Sequence, residues 1–190
     1  MIKRFGDYEN TKGYGDSVQL PKGAYVCKII GAKIIDGDYG QTVKVALDIA
    51  EGEYSGFFKK KFDANTNEDK KWGCSYLLGI PKDDGSKEDG WTKRKFRTFT
   101  DALEDSNPNY HFDWDETKFK DKLIGVLFNY REYVGTDGNV YSTANAAQVA
   151  TIANVREGNI KLPQDKLLPD SARPSQPLQN SAHESEDIPF

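Results

Sequence analysis

Aromatic side chains stand beside basic ones at two places in this sequence. The residues are Phe57, Lys59 and Lys61 at the first place, and Tyr130, Arg131 and Tyr133 at the second. Aromatic faces stack on nucleobases while nearby cations bind the phosphate backbone, a combination that holds single strands of any sequence. The alternative for each ring is packing in a hydrophobic core, and the alternative for each basic residue is a solvated surface.

A third group of the same kind lies between residues 72 and 97. Its members are Trp72, Tyr76 and Trp91, followed by the basic residues Lys93, Arg94 and Arg97. We expect this group to contribute to the same single-strand surface. Other phenylalanines are assigned to the core, namely Phe58, Phe62, Phe96, Phe99 and Phe128.

Enzyme chemistry finds little support in the sequence. A phosphate-cradling Gly-x-x-x-x-Gly-Lys-Ser/Thr loop and the Cys/His spacing of a zinc site are both missing, and His111 and His183 stand alone. The acids between Asp113 and Glu116 could hold Mg²⁺ for a nuclease, but without a supporting Lys or His pattern they indicate a solvated turn. We therefore expect a protein without catalysis, cofactor or metal.

Residues 23–62 must supply the framework for these side chains. Val43, Val45, Leu47 and Ile49 alternate with polar or small residues, as in a strand with one buried face. The stretch before this strand is rich in Ile, Val and Tyr, and Gly31 within it indicates a bulge or a sharp bend. In the stretch after this strand, Tyr54, Phe58 and Phe62 alternate with Phe57, Lys59 and Lys61. These patterns predict three consecutive strands.

The second half of the chain predicts a helix and a hairpin. Phe96, Phe99 and Leu103 share one helical face, and residues 123–134 form a long strand pattern. Thr136 to Asn139 is a hairpin turn signal, with the return strand between residues 140 and 156. The predicted fold is mainly β: a five-stranded OB-fold barrel with a helical insertion (64–122) between strands 3 and 4.

Charge and composition divide the chain into three parts. The formal net charge is −4, of which residues 163–190 carry −3 (five acidic against two basic residues), so the rest carries −1. We predict an N-terminal arm over 1–20, the barrel over 21–158 and a disordered acidic tail over 159–190, where proline and polar residues replace any apolar period.

The last residues of the tail form a distinct motif. Glu186, Asp187, Ile188, Pro189 and Phe190 combine acids, an apolar residue, a stiffening proline and a terminal ring. Such a tip can insert its ring into an apolar pocket while its acids meet a basic rim on a partner protein. The alternative is an acidic tail that only keeps the protein in solution.

This tip resembles the acidic C-terminal end of bacterial single-stranded DNA-binding proteins, and the body resembles those of bacteriophages. The stretches compared are residues 20–25 (LPKGAY), 52–58 (GEYSGFF) and 131–133 (REY). The resemblance implies an OB-fold that coats single-stranded DNA during phage replication and recombination. It also implies that the tip recruits host or phage replication, recombination and repair proteins, and it allows a homo-oligomer.

Two other functions fit the same features. A strand-annealing recombination protein would also bind DNA, and an adaptor would use its barrel to bind protein.

Cys27 and Cys74 do not form a Cys-x-x-Cys pair, and neither a secretory segment nor a membrane span stands out. We therefore expect no membrane partner and a location in the cytoplasm of an infected or lysogenic bacterium.

Overall fold

A computed structural model describes residues 3, 4, 6, 8, 18–37 and 40–173 of the chain. This part contains five β-strands, three α-helices and two short 3-10 helices. The strands are β1 (Gly23–Gly37), β2 (Gly40–Ile49), β3 (Ser75–Gly79), β4 (Leu123–Val134) and β5 (Val140–Ala150). The helices are α1 (Phe57–Ala64), α2 (Lys87–Ser106) and α3 (Ile152–Glu157), and the 3-10 helices are Glu116–Phe119 and Asp170–Ala172.

The five strands form one antiparallel sheet in the order β3-β2-β1-β4-β5. A mainly β fold with five strands, and a helix (α2) between the third and fourth, is therefore confirmed. The sheet is open, because no ladder of hydrogen bonds joins its two edge strands, β3 and β5, in the described part of the chain. Its closure into a barrel, and with it the OB-fold, stays a prediction.

The alternating pattern of β2 builds the centre of the core. Val45, Leu47 and Ile49 are buried, and they face buried side chains of β1 and β4 such as Ile29 and Ile124. The register between β1 and β2 shifts between Ile29 and Gly31, so the predicted bulge in the first strand is confirmed. A bulge sharpens the local twist of the sheet.

The predicted third strand over residues 54–62 is wrong. Gly56 adopts a left-handed backbone conformation (φ 71°), and α1 begins at the next residue. The side chain of Asp48 accepts a hydrogen bond from the Phe58 amide (2.9 Å), so a carboxylate from β2 caps the helix. Phe58 and Phe62 are four residues apart, which suits a helix as well as a strand.

The third strand lies instead in β3 (Ser75–Gly79), within the predicted helical insertion. Tyr76 and Leu78 are buried there, whereas Leu77 between them is 60% exposed, which is the alternation of a strand with one covered face. The predicted helical insertion over 64–122 is therefore wrong in extent, because it contains β3 as well as α2.

The chain continues in contact with the sheet beyond α3. Residues 163–168, which we name the strap, run beside the second half of β4, beyond Phe128, which pairs with the first residue of β1. The Lys166 amide donates to the carbonyl of Tyr130 (2.8 Å), and the Glu132 amide donates to the carbonyl of Lys166 (2.9 Å). Packing against the sheet thus extends past the predicted domain boundary at residue 158. The predicted docking tip, 186–190, lies outside the described residues.

Candidate nucleic-acid interface

Four half-buried rings lie near one another where β1 begins and α1 covers the core. We name Phe57, Tyr54, Tyr25 and Tyr130 the aromatic row. The ring centroids are 6.1 Å apart for Phe57 and Tyr54, and 6.0 Å for Tyr54 and Tyr25, both edge to face. Tyr25 also contacts the buried ring of Phe128 (5.7 Å), whose strand carries Tyr130 two residues later on the same face.

A lysine lies over the ring at each end of the row. The Nζ atom of Lys61 is 5.1 Å from the centroid of Phe57, and the Nζ atom of Lys22 is 5.9 Å from that of Tyr130. Lys22 also forms an ion pair with Asp165 of the strap (3.1 Å). Within the described ranges, no carboxylate pairs with Lys61. The row thus combines partly exposed aromatic surface with two cations.

The core holds the rings of the row in place. The Tyr25 hydroxyl donates to the carbonyl of Pro21 (2.9 Å), and burial raises the pKa of Tyr25, so its ring stays neutral at physiological pH. On α1, the capping carboxylate of Asp48 fixes the first turn, which carries Phe57. A rigid, uncharged ring surface loses little conformational entropy when a base stacks on it.

The predicted residues of α1 and the following loop divide between the row and the core. Phe57 and Lys61 belong to the row. Lys59 forms an ion pair with Asp63 (2.8 Å), and this hydrogen-bonded contact raises the pKa of Lys59. Trp72 is half-buried, and its indole N–H donates to the carbonyl of Leu47 (2.8 Å).

Tyr76 lies in the core. It is 7% exposed and stacks on Phe99 with a centroid distance of 5.9 Å and an interplanar angle of 8°. Burial raises its pKa. Neither the ring face against Phe99 nor the buried opposite side is open to a base, so Tyr76 does not contribute to a single-strand surface in this structure.

The predicted basic cluster on α2 is largely neutralised by acids. Lys93 pairs with Asp83 and Asp89, and Arg97 pairs with Asp101 (2.7 Å). These hydrogen-bonded carboxylates raise the pKa of Lys93 and of Arg97. The remaining two members are exposed: Trp91, whose ring lies 5.3 Å from the Nζ atom of Lys87, and Arg94. In the described part of the chain, no contact joins these α2 residues to the aromatic row.

The predicted residues of β4 lie on both faces of the β4–β5 hairpin. Tyr130 pairs in register with Ala144, whereas Arg131 pairs with Thr143 and points to the other face. Tyr133 shares the face of Arg131, and its ring lies 5.9 Å from that of Tyr141. The structure therefore brings Phe57, Lys61 and Tyr130 together and separates Arg131 and Tyr133 from them.

Sequence reasoning missed three residues of this surface, Lys22, Tyr25 and Tyr54. Tyr25 and Tyr54 are separated by β2 in sequence and meet only through the return of the chain into α1. Lys22 stands three residues before Tyr25, a spacing that could have drawn attention to this segment.

A second cationic surface lies on β1 and β2. Lys33 and Lys44 pair directly in register on β1 and β2, both are exposed, and Leu77 of β3 follows in the same row. Like charges directly opposite each other on a sheet are destabilising. Among the described residues neither lysine has an acid partner, so this pair is a candidate contact for phosphates.

The described residues contain no group of three or more His, Cys, Asp or Glu side chains suited to a metal ion. No helix among them has the length and hydrophobicity needed to span a bilayer.

The fold and the row define a mainly β protein with a partly exposed aromatic surface and flanking lysines. No protein-family model matches the chain, and no curated protein matches it.

Proposed function

We propose that the chain is a non-catalytic protein that binds single-stranded DNA with little sequence preference. The observation that carries this proposal is the aromatic row with Lys61 over one end and Lys22 over the other. In the biological setting we propose, the protein coats and protects unpaired strands during phage DNA replication and recombination.

Stacking supplies most of the affinity in this proposal. Each base that stacks on an aromatic side chain contributes on the order of 1–3 kcal/mol, and every base has a face that can stack. The rings of the row contact one another edge to face, so the exposed parts of neighbouring rings point in different directions. A single strand can follow such a surface because its bases are free to turn individually, whereas a duplex cannot.

The lysines at the two ends fix the path of the backbone. Lys61 has its charge available, and Lys22 exchanges the carboxylate of Asp165 for a phosphate. The Lys33–Lys44 pair lies on the opposite face of the sheet from Tyr25 and is a separate candidate contact for phosphates. The strand order supports the proposal as well, because a β1-β2-β3 meander followed by a helix and a β4–β5 hairpin beside β1 is the arrangement that an OB-fold would have.

The tail completes the proposed function. Residues 186–190 recruit replication, recombination and repair proteins, with Phe190 entering an apolar pocket and Glu186 and Asp187 meeting basic residues around it. The strap places the start of this tail beside Tyr130. DNA binding and partner recruitment then reside in different parts of one chain.

The test is titration of fluorescent oligo-dT into the full-length protein at several salt concentrations. We expect binding that weakens with salt, with a log–log slope of about −0.7 per neutralised phosphate. A Lys22→Ala/Lys61→Ala variant should reduce the magnitude of this slope by about 1.4, two contacts at about 0.7 each. The matched control, Lys87→Ala/Arg94→Ala, removes two exposed cations from α2 and should leave the slope unchanged.

Two results would contradict the proposal. If oligo-dT does not bind at low salt, the chain does not coat single strands. If the α2 control lowers the slope and the Lys22/Lys61 variant does not, the strand lies on α2 and the row has another role. Parallel titration with oligo-rU decides between DNA and RNA, and rapid pairing of complementary strands would favour the annealing function.

A further inference from the structure

A cavity of about 820 Å³ lies between α2 and the far end of the β1–β2 hairpin. Ile34 and Val43, which pair in register on the two strands, form one wall. The buried ring of Phe119 lines it, and the helix contributes Phe96 to the opposite wall. We name this cavity the acidic pocket, because carboxylates outnumber cations in its lining.

Three aromatic rings form the rim of the acidic pocket. Trp114 stacks on Phe96 with a centroid distance of 6.1 Å and an interplanar angle of 13°, and it contacts Phe112 at 5.2 Å. Trp114 is 81% exposed, the largest exposure among the large apolar side chains described. A tryptophan stacked on one face and open to solvent on the other offers a ready surface for a partner's side chain.

The segment carrying Trp114 is held firmly on both sides. The Phe112 amide donates to the Glu104 side chain (2.7 Å), and the Asp115 side chain accepts from the Thr117 amide (3.0 Å). Trp114 itself has a positive φ of 68°, which is uncommon for a bulky residue. The fold thus maintains a strained backbone that keeps this ring outside, rather than burying it.

The charges of the pocket oppose a nucleic-acid ligand. Its lining includes four carboxylates and two cations, so the formal balance is −2. Both cations, Lys93 and Arg97, already pair with acids. Glu116 has no cationic partner among the residues described, and the Glu104 carboxylate lies 3.8 Å from His111, which is charged only when protonated. Phosphates would be repelled here, whereas a cationic side chain would find an unpaired acid.

The pocket lies at the other end of β1 from the aromatic row. Ile34 lines the pocket near the end of that strand, whereas Tyr25 of the row stands near its beginning. Lys33 and Lys44 are exposed on the opposite side of the two strands that carry Ile34 and Val43. The pocket is therefore a surface distinct from the row and from the lysine pair.

We infer that the acidic pocket is a docking site for a peptide segment of a partner protein. In this segment, a basic residue stands next to an aromatic or aliphatic residue. An apolar or aromatic side chain of that segment fills the cavity beside Trp114, and an adjacent Arg or Lys pairs with Glu116 or Glu104. Arginine suits both features, because its planar guanidinium stacks on indole and pairs with a carboxylate. This inference does not depend on the aromatic row or on DNA binding.

The test is selection of peptides from a random displayed library on the full-length protein, followed by affinity measurement with the enriched peptides as synthetic probes. We expect enrichment of sequences in which Arg or Lys stands next to an aromatic or aliphatic residue. Trp114→Ala should weaken binding of these peptides at least tenfold. Glu116→Lys should weaken it by a similar factor and reduce its dependence on salt.

Two matched controls accompany these variants. Trp91→Ala removes another exposed tryptophan of the same region that does not line the pocket, and Glu157→Lys makes the same charge change on α3. Both should stay within twofold of the unaltered protein. Because Trp114 and Glu157 are exposed, circular dichroism should show all four variants folded.

Three outcomes would overturn the inference. The first is a selection that enriches no basic sequences. The second is peptide binding that survives both Trp114→Ala and Glu116→Lys. The third is displacement of the peptide by oligo-dT together with weaker oligo-dT binding by Trp114→Ala, which would assign the pocket to nucleic acid. If the aromatic row does not bind DNA, the inference about the acidic pocket is unaffected.

Discussion

The two tyrosines of β4 provide the most direct test of the proposed single-strand surface. Tyr130 belongs to the aromatic row, whereas Tyr133 lies three residues later on the opposite face of the same hairpin. Both rings are partly exposed, and both pack against one cross-strand neighbour, Ala144 for Tyr130 and Tyr141 for Tyr133. Comparing the two variants therefore shows whether the position of a tyrosine, and not merely its residue type, determines its effect on DNA binding.

We predict that Tyr130→Ala weakens oligo-dT binding between about 5-fold and about 150-fold. This range is the loss of one stacked base, about 1–3 kcal/mol, converted to a ratio of dissociation constants. Tyr133→Ala should change the dissociation constant less than twofold. Tyr130→Phe should also stay within twofold, because it keeps the ring and removes only the hydroxyl.

Fluorescence anisotropy of labelled oligo-dT at one fixed salt concentration measures all three variants, and urea unfolding gives their stabilities. Tyr130 is outside the buried core, so the replacement should not unfold the domain. Equal weakening by Tyr130→Ala and Tyr133→Ala would place the strand around the hairpin tip and refute the proposed row. An unchanged affinity for Tyr130→Ala would refute stacking on this ring.

Three further predictions concern the helix cap, the buried thiols and the tail. Asp48→Ala should lower the free energy of unfolding, measured in urea, by about 1–3 kcal/mol, because it leaves buried amide donors of α1 and β2 without an acceptor. Asp48→Asn keeps an acceptor oxygen and should lower the free energy of unfolding by less. Burial raises the pKa of the Cys74 thiol to about 12 from 9.0, so the folded state retains a proton that the unfolded state loses. Stability should therefore be intact below pH 9.0 and decline as the pH rises towards about 12, and iodoacetamide should label Cys74 at pH 8 only after unfolding. Removal of residues 181–190 should tighten oligo-dT binding at low salt, since an acidic segment then no longer competes for the lysines. Phe190→Ala should abolish partner recruitment and leave DNA affinity unchanged; equal affinity of full-length and truncated protein at low salt would exclude the competition.

The strands with clean alternation were predictable, and the third strand was not. The residues at 54, 58 and 62 are spaced by four, which satisfies both the period of two of a strand and the turn of a helix. Contacts with residues distant in sequence favour the helix over the strand. Asp48 of β2 caps α1, and Trp72 donates to the carbonyl of Leu47. Such contacts have no local signal in the sequence.

The same distinction applies to the candidate site. Phe57 and Lys61 were found because a ring and a cation were close in sequence, while Tyr25 and Tyr54 meet only in the folded chain. Two of the predicted basic residues of α2, Lys93 and Arg97, have acid partners in the structure. Arg97 and Asp101 are four residues apart on one helical face, so their ion pair was readable from the spacing alone.

The distribution of ion pairs explains how a chain with a formal charge of −4 can still offer cations to a strand. On the helices, acids one turn away neutralise Lys59, Lys93 and Arg97. At the row, the partner of Lys22 comes instead from the strap, and this ion pair is partly exposed. An exposed pair contributes little free energy, so in the proposed complex a phosphate that brings a stacked base with it would displace the carboxylate at small cost. The strap then reports on the exchange: the amide of Tyr130, which donates to Asp165 at 2.9 Å, should change its chemical shift when oligo-dT binds.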